Sequence, residues 1–93
     1  MESYQKENCK TIANYYGINH QILIAIEEMS ELTKELCKYK RGFIRPKAIC
    51  EEIADVNIMI QQLIELYGME KEVSESIDYK LERQLRRIEN ERE

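Results

Sequence analysis

Two acid pairs are the residues of this sequence best suited to chemistry. The stretch "EEMSEL", Glu27 to Leu32, sets Glu28 and Glu31 three residues apart; "EEIADV", Glu51 to Val56, repeats the spacing with Glu52 and Asp55. An i, i+3 spacing puts both members of a pair on one face of a helix. Both pairs lie among Ile, Leu, Met and Val, where unpaired carboxylates cost free energy and repel one another. Two antiparallel helices joined by a short loop bring the pairs opposite each other. A hard divalent cation, Mg²⁺ or Mn²⁺, resolves the conflict, because it takes carboxylate and water oxygens. The competing reading is a solvated charged face, to which Glu27, Glu35 and Glu51 are assigned. "ELTKELCKYK" also places Lys34 and Lys38 beside Glu31 and Glu35 as ordinary surface partners.

The elements that position these acids follow from the punctuation: Gly17, Gly42 with Pro46, and Gly68 divide the chain into four segments. A polar helix over about Glu2 to Tyr16 carries Ile12, Ala13 and Tyr16. A second helix runs from about His20 to Lys40 with Asn19 as its N-cap. After the loop "KRGFIRP", Pro46 suits the first turn of a third helix ending at Tyr67, where Gly68 stops it. The fourth, about Glu70 to Glu91, carries Val73, Ile77, Leu81, Leu85 and Ile88 at helical spacing; its end, from about residue 89 to 93, reads as a frayed tail. No run alternates apolar and polar residues for long, so strands fit poorly. The expected class is all-α: a four-helix, bundle-like, antiparallel single domain over 1–93.

Counting about 100° per residue, Ile22, Ala25, Ile26, Met29, Leu32 and Leu36 form the apolar stripe of the second helix. Glu28, Glu31 and Glu35 lie on its flank. Leu23 and Ile24 make the start of this helix apolar nearly all round, which predicts burial on more than one side. On the third helix Ile49, Ile53, Val56, Ile60, Leu63 and Tyr67 form the core stripe, with Glu52 and Asp55 just off it.

Composition narrows the function classes. A 93-residue chain is one domain with a marginal core. Its formal charge of -4 argues against nucleic acid as the main partner. Cys9, Cys37 and Cys50 form no paired framework and read as reduced thiols of a cytoplasmic protein. With His20 the only histidine, no zinc ligand set stands out. "MESYQKENCK" is charged and does not read as a signal peptide, and no apolar run is long enough for a membrane span. There is no G-x-x-x-x-G-K-[ST] loop for phosphate and no Ser/His/Asp or Cys/His arrangement. His20 reads as a surface or capping residue, Asn57 as a polar outward or interface residue, and Met29, Met59 and Met69 as core fillers.

The pattern Glu28-x-x-Glu31, followed twenty residues later by Glu52-x-x-Asp55, resembles the signature of the MazG-like nucleotide pyrophosphohydrolases of the all-α NTP pyrophosphatase superfamily. "AIEEMSELTKEL" and "EEIADVNIMIQQL" are similar to that family's two central helices. The likeness covers about Gly17 to Ile88 and is closest to short single-domain members from bacteria and their phages. It implies that Glu28, Glu31, Glu52 and Asp55 bind Mg²⁺, with Mn²⁺ as a substitute. It implies hydrolysis of a nucleoside triphosphate between the α- and β-phosphates, giving a monophosphate and pyrophosphate, with a metal-bound water as nucleophile. Glu27 or Glu51 is a candidate for orienting that water. Lys80, Arg83, Gln84 and Arg87 on the last helix are implied to hold phosphate, although family members often carry Asn where Gln84 stands. The bland alternative pairs these cations with Glu82, Glu89 and Glu91. The family's habit, and the apolar start of the second helix, lead to a homodimer or tetramer. A monomer would expose Leu23, Ile24 or Ile58. The alternatives to an enzyme are a non-catalytic helical module of the same fold, binding a nucleotide or protein partner, and a coiled-coil-like adaptor.

Overall fold

Glycine and proline sit where the chain turns. Gly17, at φ +85°, reverses the chain in a single residue and joins α1 (Ser3–Tyr16) directly to α2 (Ile18–Lys40). Glycine takes that backbone angle without steric cost. Its N–H donates to Ala13 O at 2.8 Å, and its own carbonyl accepts from Gln21 N at 3.1 Å. The second helix therefore starts before Asn19, which lies inside its first turn rather than capping it. Pro46 opens α3 (Pro46–Tyr67) as expected, since its missing N–H is no loss there. Gly68 closes α3 in the left-handed conformation; its N–H bonds to Glu65 O, and that of Met69 to Ile64 O, both at 3.2 Å. The last helix, α4 (Glu70–Arg92), continues through the region read as a frayed tail.

The structure, a computed structural model, describes residues 1–92, which form these four helices and no strand. The expected all-α class is present. Glu93, the end of the anticipated tail, lies outside the described residues.

Helices α2 and α3 form the principal pair. α1 packs on α3 and touches α2, whereas α4 packs on α3 and meets α1 through a Lys6–Glu70 ion pair at 3.8 Å. The buried and half-buried positions of α2 include Gln21, Ala25, Glu28, Leu32 and Glu35, spaced alternately by four and three residues. Such spacing is the seam of a closely aligned helix pair. On α3 the counterparts are Glu52, Val56, Met59 and Gln62. The Gln21 Nε2 atom donates to Gln62 Oε1 at 2.6 Å, satisfying two buried amides and fixing the antiparallel register at one end.

This seam is rotated from the expected one. Ile26, Met29 and Leu36 of the anticipated α2 stripe are exposed, as are Ile53, Ile60 and Tyr67 of the α3 stripe. Ala25, Ile22 and Leu32 do turn inward. Because α2 is apolar on more than one side, the intrachain contact can use one side and leave the other bare. Of the anticipated methionine fillers only Met59 is buried; Met29 and Met69 are exposed. Every residue of α4 after Val73 is exposed up to Arg92. The radius of gyration, 16.1 Å, exceeds the roughly 12 Å of a compact domain this long. The fourth helix thus extends from the three-helix body instead of closing a compact bundle.

Candidate metal centre

The acids meet because the α2–α3 register demands it. With Gln21 opposite Gln62, two turns further along α2 and back along α3 bring Glu28 level with Asp55. Carboxylate oxygens of Glu28, Glu52 and Asp55 lie within 4.8 Å of one another. Burial is the largest influence on Glu28 and pushes its carboxyl above the ordinary range. The charges of Asp55 and Glu52, a side-chain hydrogen bond with Asp55, and the charge of Glu27 push the same way. Glu52 is also raised, first by burial, then by the charges of Asp55, Glu31, Glu35 and Glu51. Both shifts record one fact: negative charge is crowded into a half-buried seam.

Three of the four expected ligands are gathered. Glu31 is on the exposed flank of α2, outside the tight group, yet its charge still bears on Glu52. Glu27 and Glu51 are exposed, each next in sequence to a member of the cluster. Lys80, Arg83, Gln84 and Arg87 are exposed on α4, a helix that does not pack against α2. Nearby, Arg86 pairs with Glu82 at 3.7 Å across one helical turn.

Glu35 was assigned to the solvated face and is instead buried, at 7% relative exposure. Its position seven residues after Glu28 was the signal: a heptad step returns to the same seam. Arg45, in the α2–α3 loop, brings Nε to 3.8 Å from Glu35 Oε1, an ion-pair distance without a hydrogen bond. Glu52 Oε2 is likewise buried without a hydrogen-bond partner.

Other polar candidates have local roles. Asn57 Nδ2 donates to Ile53 O at 3.0 Å along its own helix. The His20 ring stacks on Tyr16 with centroids 4.7 Å apart, and its Nδ1 lies 2.6 Å from Gln21 Oε1. Cys9 is buried and Cys37 and Cys50 are exposed, all three as free thiols.

No protein-family model matches the chain, and neither a curated protein nor a solved structure does.

The donor set is all oxygen, includes a buried carboxylate oxygen with no partner, and is crowded enough to raise two carboxyl pKa values. Those properties fit a hard divalent ion of the Mg²⁺ or Mn²⁺ type. No helix among the described residues is long and apolar enough to cross a membrane.

Proposed function

We propose that this protein is a Mg²⁺-dependent nucleoside triphosphate pyrophosphohydrolase of the MazG-like type. In this reading water adds across the anhydride between the α- and β-phosphates, and a nucleoside monophosphate and pyrophosphate leave. The observation that carries the proposal is the convergence of Glu28, Glu52 and Asp55 from two helices onto one point. The mutual repulsion of these acids adds to the cost of their partial burial, and a divalent ion would relieve both.

Glu28, Glu52 and Asp55 would hold the ion, with Glu31 able to join from the flank. The ion supplies neutralisation of phosphate charge and acidification of water. The chain's own groups do the rest. Glu28, Glu52 and Asp55, partly exposed on the α2–α3 seam, would fix the position of the ion, and through it that of the polyphosphate, against the helix pair. Glu27 or Glu51, exposed beside them, would orient the attacking water. Lys80, Arg83, Gln84 and Arg87 would bind phosphate oxygens, a role that requires α4 of the same or another copy to come over the seam.

Assembly into a homodimer or tetramer belongs to the same proposal. Leu23, Ile53, Ile60, Leu81 and Leu85 are all exposed in one chain. Near the α2–α3 loop an open apolar groove of about 620 Å³ is lined by residues including Leu36, Tyr39, Ile49 and Ile53. Apolar surface on this scale marks an interface. The cytoplasm, where free thiols persist and nucleotides abound, is the compartment proposed.

The alternative is a non-catalytic helical module that binds a nucleotide or a protein. The separation of the α4 cations from the acids within one chain is the observation in its favour. Pyrophosphate release from a panel of NTPs and dNTPs, with Mg²⁺ or Mn²⁺, decides between them. Turnover by the wild type and its loss in Glu52→Gln support the enzyme. No turnover across the panel, with Glu52→Gln changing only stability, supports the module.

A further inference from the structure

The turn between α2 and α3 carries charge of the opposite sign from the seam. Residues 38–47, "KYKRGFIRPK", hold five cations and no acid in a chain whose formal total is -4, so the rest of it carries -9. On α4, by contrast, the cations are interleaved with Glu82 and Glu89, and Arg86 pairs with Glu82. Lys38, Arg41 and Arg45 line one cavity of about 320 Å³ together with Phe43. That volume is at the lower end of the range for small-molecule pockets. Lys38 is half-buried, yet neither it nor Arg41 has a carboxylate within ion-pair distance among the described residues. Arg45 has one, Glu35 Oε1 at 3.8 Å from its Nε, which leaves most of its five N–H donors uncommitted. Cations at a helix C-terminus ordinarily serve its free carbonyls. Here the backbone does so. The Arg41 N–H donates to Cys37 O at 3.2 Å, and those of Gly42 and Phe43 donate to Tyr39 O and Lys38 O, both at 3.0 Å.

We infer that this turn is a nucleotide site independent of divalent ions, in which Lys38, Arg41 and Arg45 hold phosphate and Phe43 stacks on the base. Guanidinium and ammonium groups take phosphate through charge-assisted hydrogen bonds. The Phe43 ring, 62% exposed among the three cations, offers a face on which any base can stack. Lys38 is ten residues beyond Glu28, about 15 Å along α2, so the cavity is separate from the acid triad. An anionic membrane would also attract five cations. A concave pocket suits a small ligand instead, and Ile44, the other exposed apolar residue of the turn, lines a different groove.

The test is isothermal titration calorimetry of the full chain with ATP in EDTA, which keeps divalent ions out of the seam. The wild type is expected to bind one ATP per chain. Lys38→Ala and Arg41→Ala should each weaken it roughly ten- to a hundredfold. Phe43→Ala should weaken it at least about fivefold. Inorganic tripolyphosphate, which has no base, should bind more weakly than ATP and be indifferent to Phe43→Ala. Glu52→Gln and Arg87→Ala should leave ATP binding unchanged, which separates the turn from the seam and from α4. Circular dichroism shows that each variant is folded; if Lys38→Ala is not, the exposed Arg41 and Phe43 carry the test. No binding at millimolar ATP overturns the inference. So does binding lost in Arg87→Ala but not in Arg41→Ala, or ATP and tripolyphosphate binding alike whatever stands at position 43. Phe43-dependent cosedimentation with vesicles of phosphatidylcholine and phosphatidylserine in equal parts, without ATP binding, assigns the turn to a membrane surface and also overturns it. Pyrophosphate release with Mg²⁺ is read separately, so either proposal can fail alone.

Discussion

The α2–α3 seam and the α4 arm differ in what one chain can do for itself. In the seam, acids from two helices are locked together by packing and by the Gln21–Gln62 hydrogen bond. On α4, cations and an apolar stripe of Ile77, Leu81, Leu85 and Ile88 face solvent together. A lone helix of 23 residues is only marginally stable in water, and proteins stabilise such helices by covering an amphipathic face. One region is packed within the chain, while the other leaves its apolar stripe bare. In the proposed function the acid half of the polyphosphate site would lie on the first region and its cationic half on the second, which would couple the chemistry to assembly.

Removing the acid half should have the largest effect. Glu52→Gln is expected to lower divalent-dependent pyrophosphate release by at least about 100-fold, more than loss of a supporting contact would. Initial rates at saturating Mg²⁺ measure it. EDTA should abolish wild-type activity to the same extent, and excess Mg²⁺ should restore it.

Breaking the α4 side comes next. Leu81→Glu places a charge in the apolar stripe and should shift the protein toward monomer in sedimentation velocity. The wild type's melting temperature should rise with protein concentration, as linkage to association requires, and that of Leu81→Glu should not. A wild type that sediments as a monomer, with a melting temperature independent of concentration, would remove the contrast between the two regions.

A smaller effect is expected from the α4 cations. Losing a charge-assisted hydrogen bond costs about 1.5–3 kcal/mol. Arg87→Ala and Lys80→Ala should each raise KM for a triphosphate by roughly ten- to a hundredfold. Gln84→Asn should change it least. If either alanine variant acts at wild-type KM, that cation lies away from phosphate even in the assembly.

The smallest and sharpest prediction concerns pH. Glu28 and Glu52 have folded-state pKa values raised above the ordinary carboxylate range. They bind protons more tightly in the folded protein than in the unfolded chain. Their contribution to stability is full below the unfolded pKa and is lost as pH rises through the raised values. In metal-free buffer, the wild type should lose stability relative to Glu28→Gln as pH climbs from the acid range to neutrality. Divalent ions should restore it at neutral pH. Denaturant unfolding of both proteins across that range, with and without Mg²⁺, gives the comparison.

Much of this division was legible in the sequence. Gly17, Gly68 and Pro46 act through local backbone geometry, so the helix boundaries around them could be read to within a few residues. The convergence of Glu28, Glu52 and Asp55 was legible as well, because i, i+3 pairs on consecutive antiparallel helices have few other ways to face. The rotation of the seam was not. Periodicity finds an apolar stripe but does not say whether the same chain or another covers it, and Ile26, Met29, Ile53 and Ile60 turned out to be on the uncovered side. Glu35 was hidden by its type, since a glutamate beside lysines in a polar stretch resembles a surface residue. The outward course of α4 was equally invisible. Val73, Ile77, Leu81 and Leu85 have the spacing of a core helix, and only the packing shows that nothing among the described residues covers most of them.

The most direct measurement is a crystal structure grown in millimolar Mg²⁺ with a non-hydrolysable triphosphate. The expected result is an ion about 2.0–2.1 Å from oxygens of Glu28, Glu52 and Asp55, with phosphate oxygens completing its octahedron. Finding those three carboxylates protonated or paired with lysine and arginine, with no ion among them despite ample Mg²⁺, would contradict it.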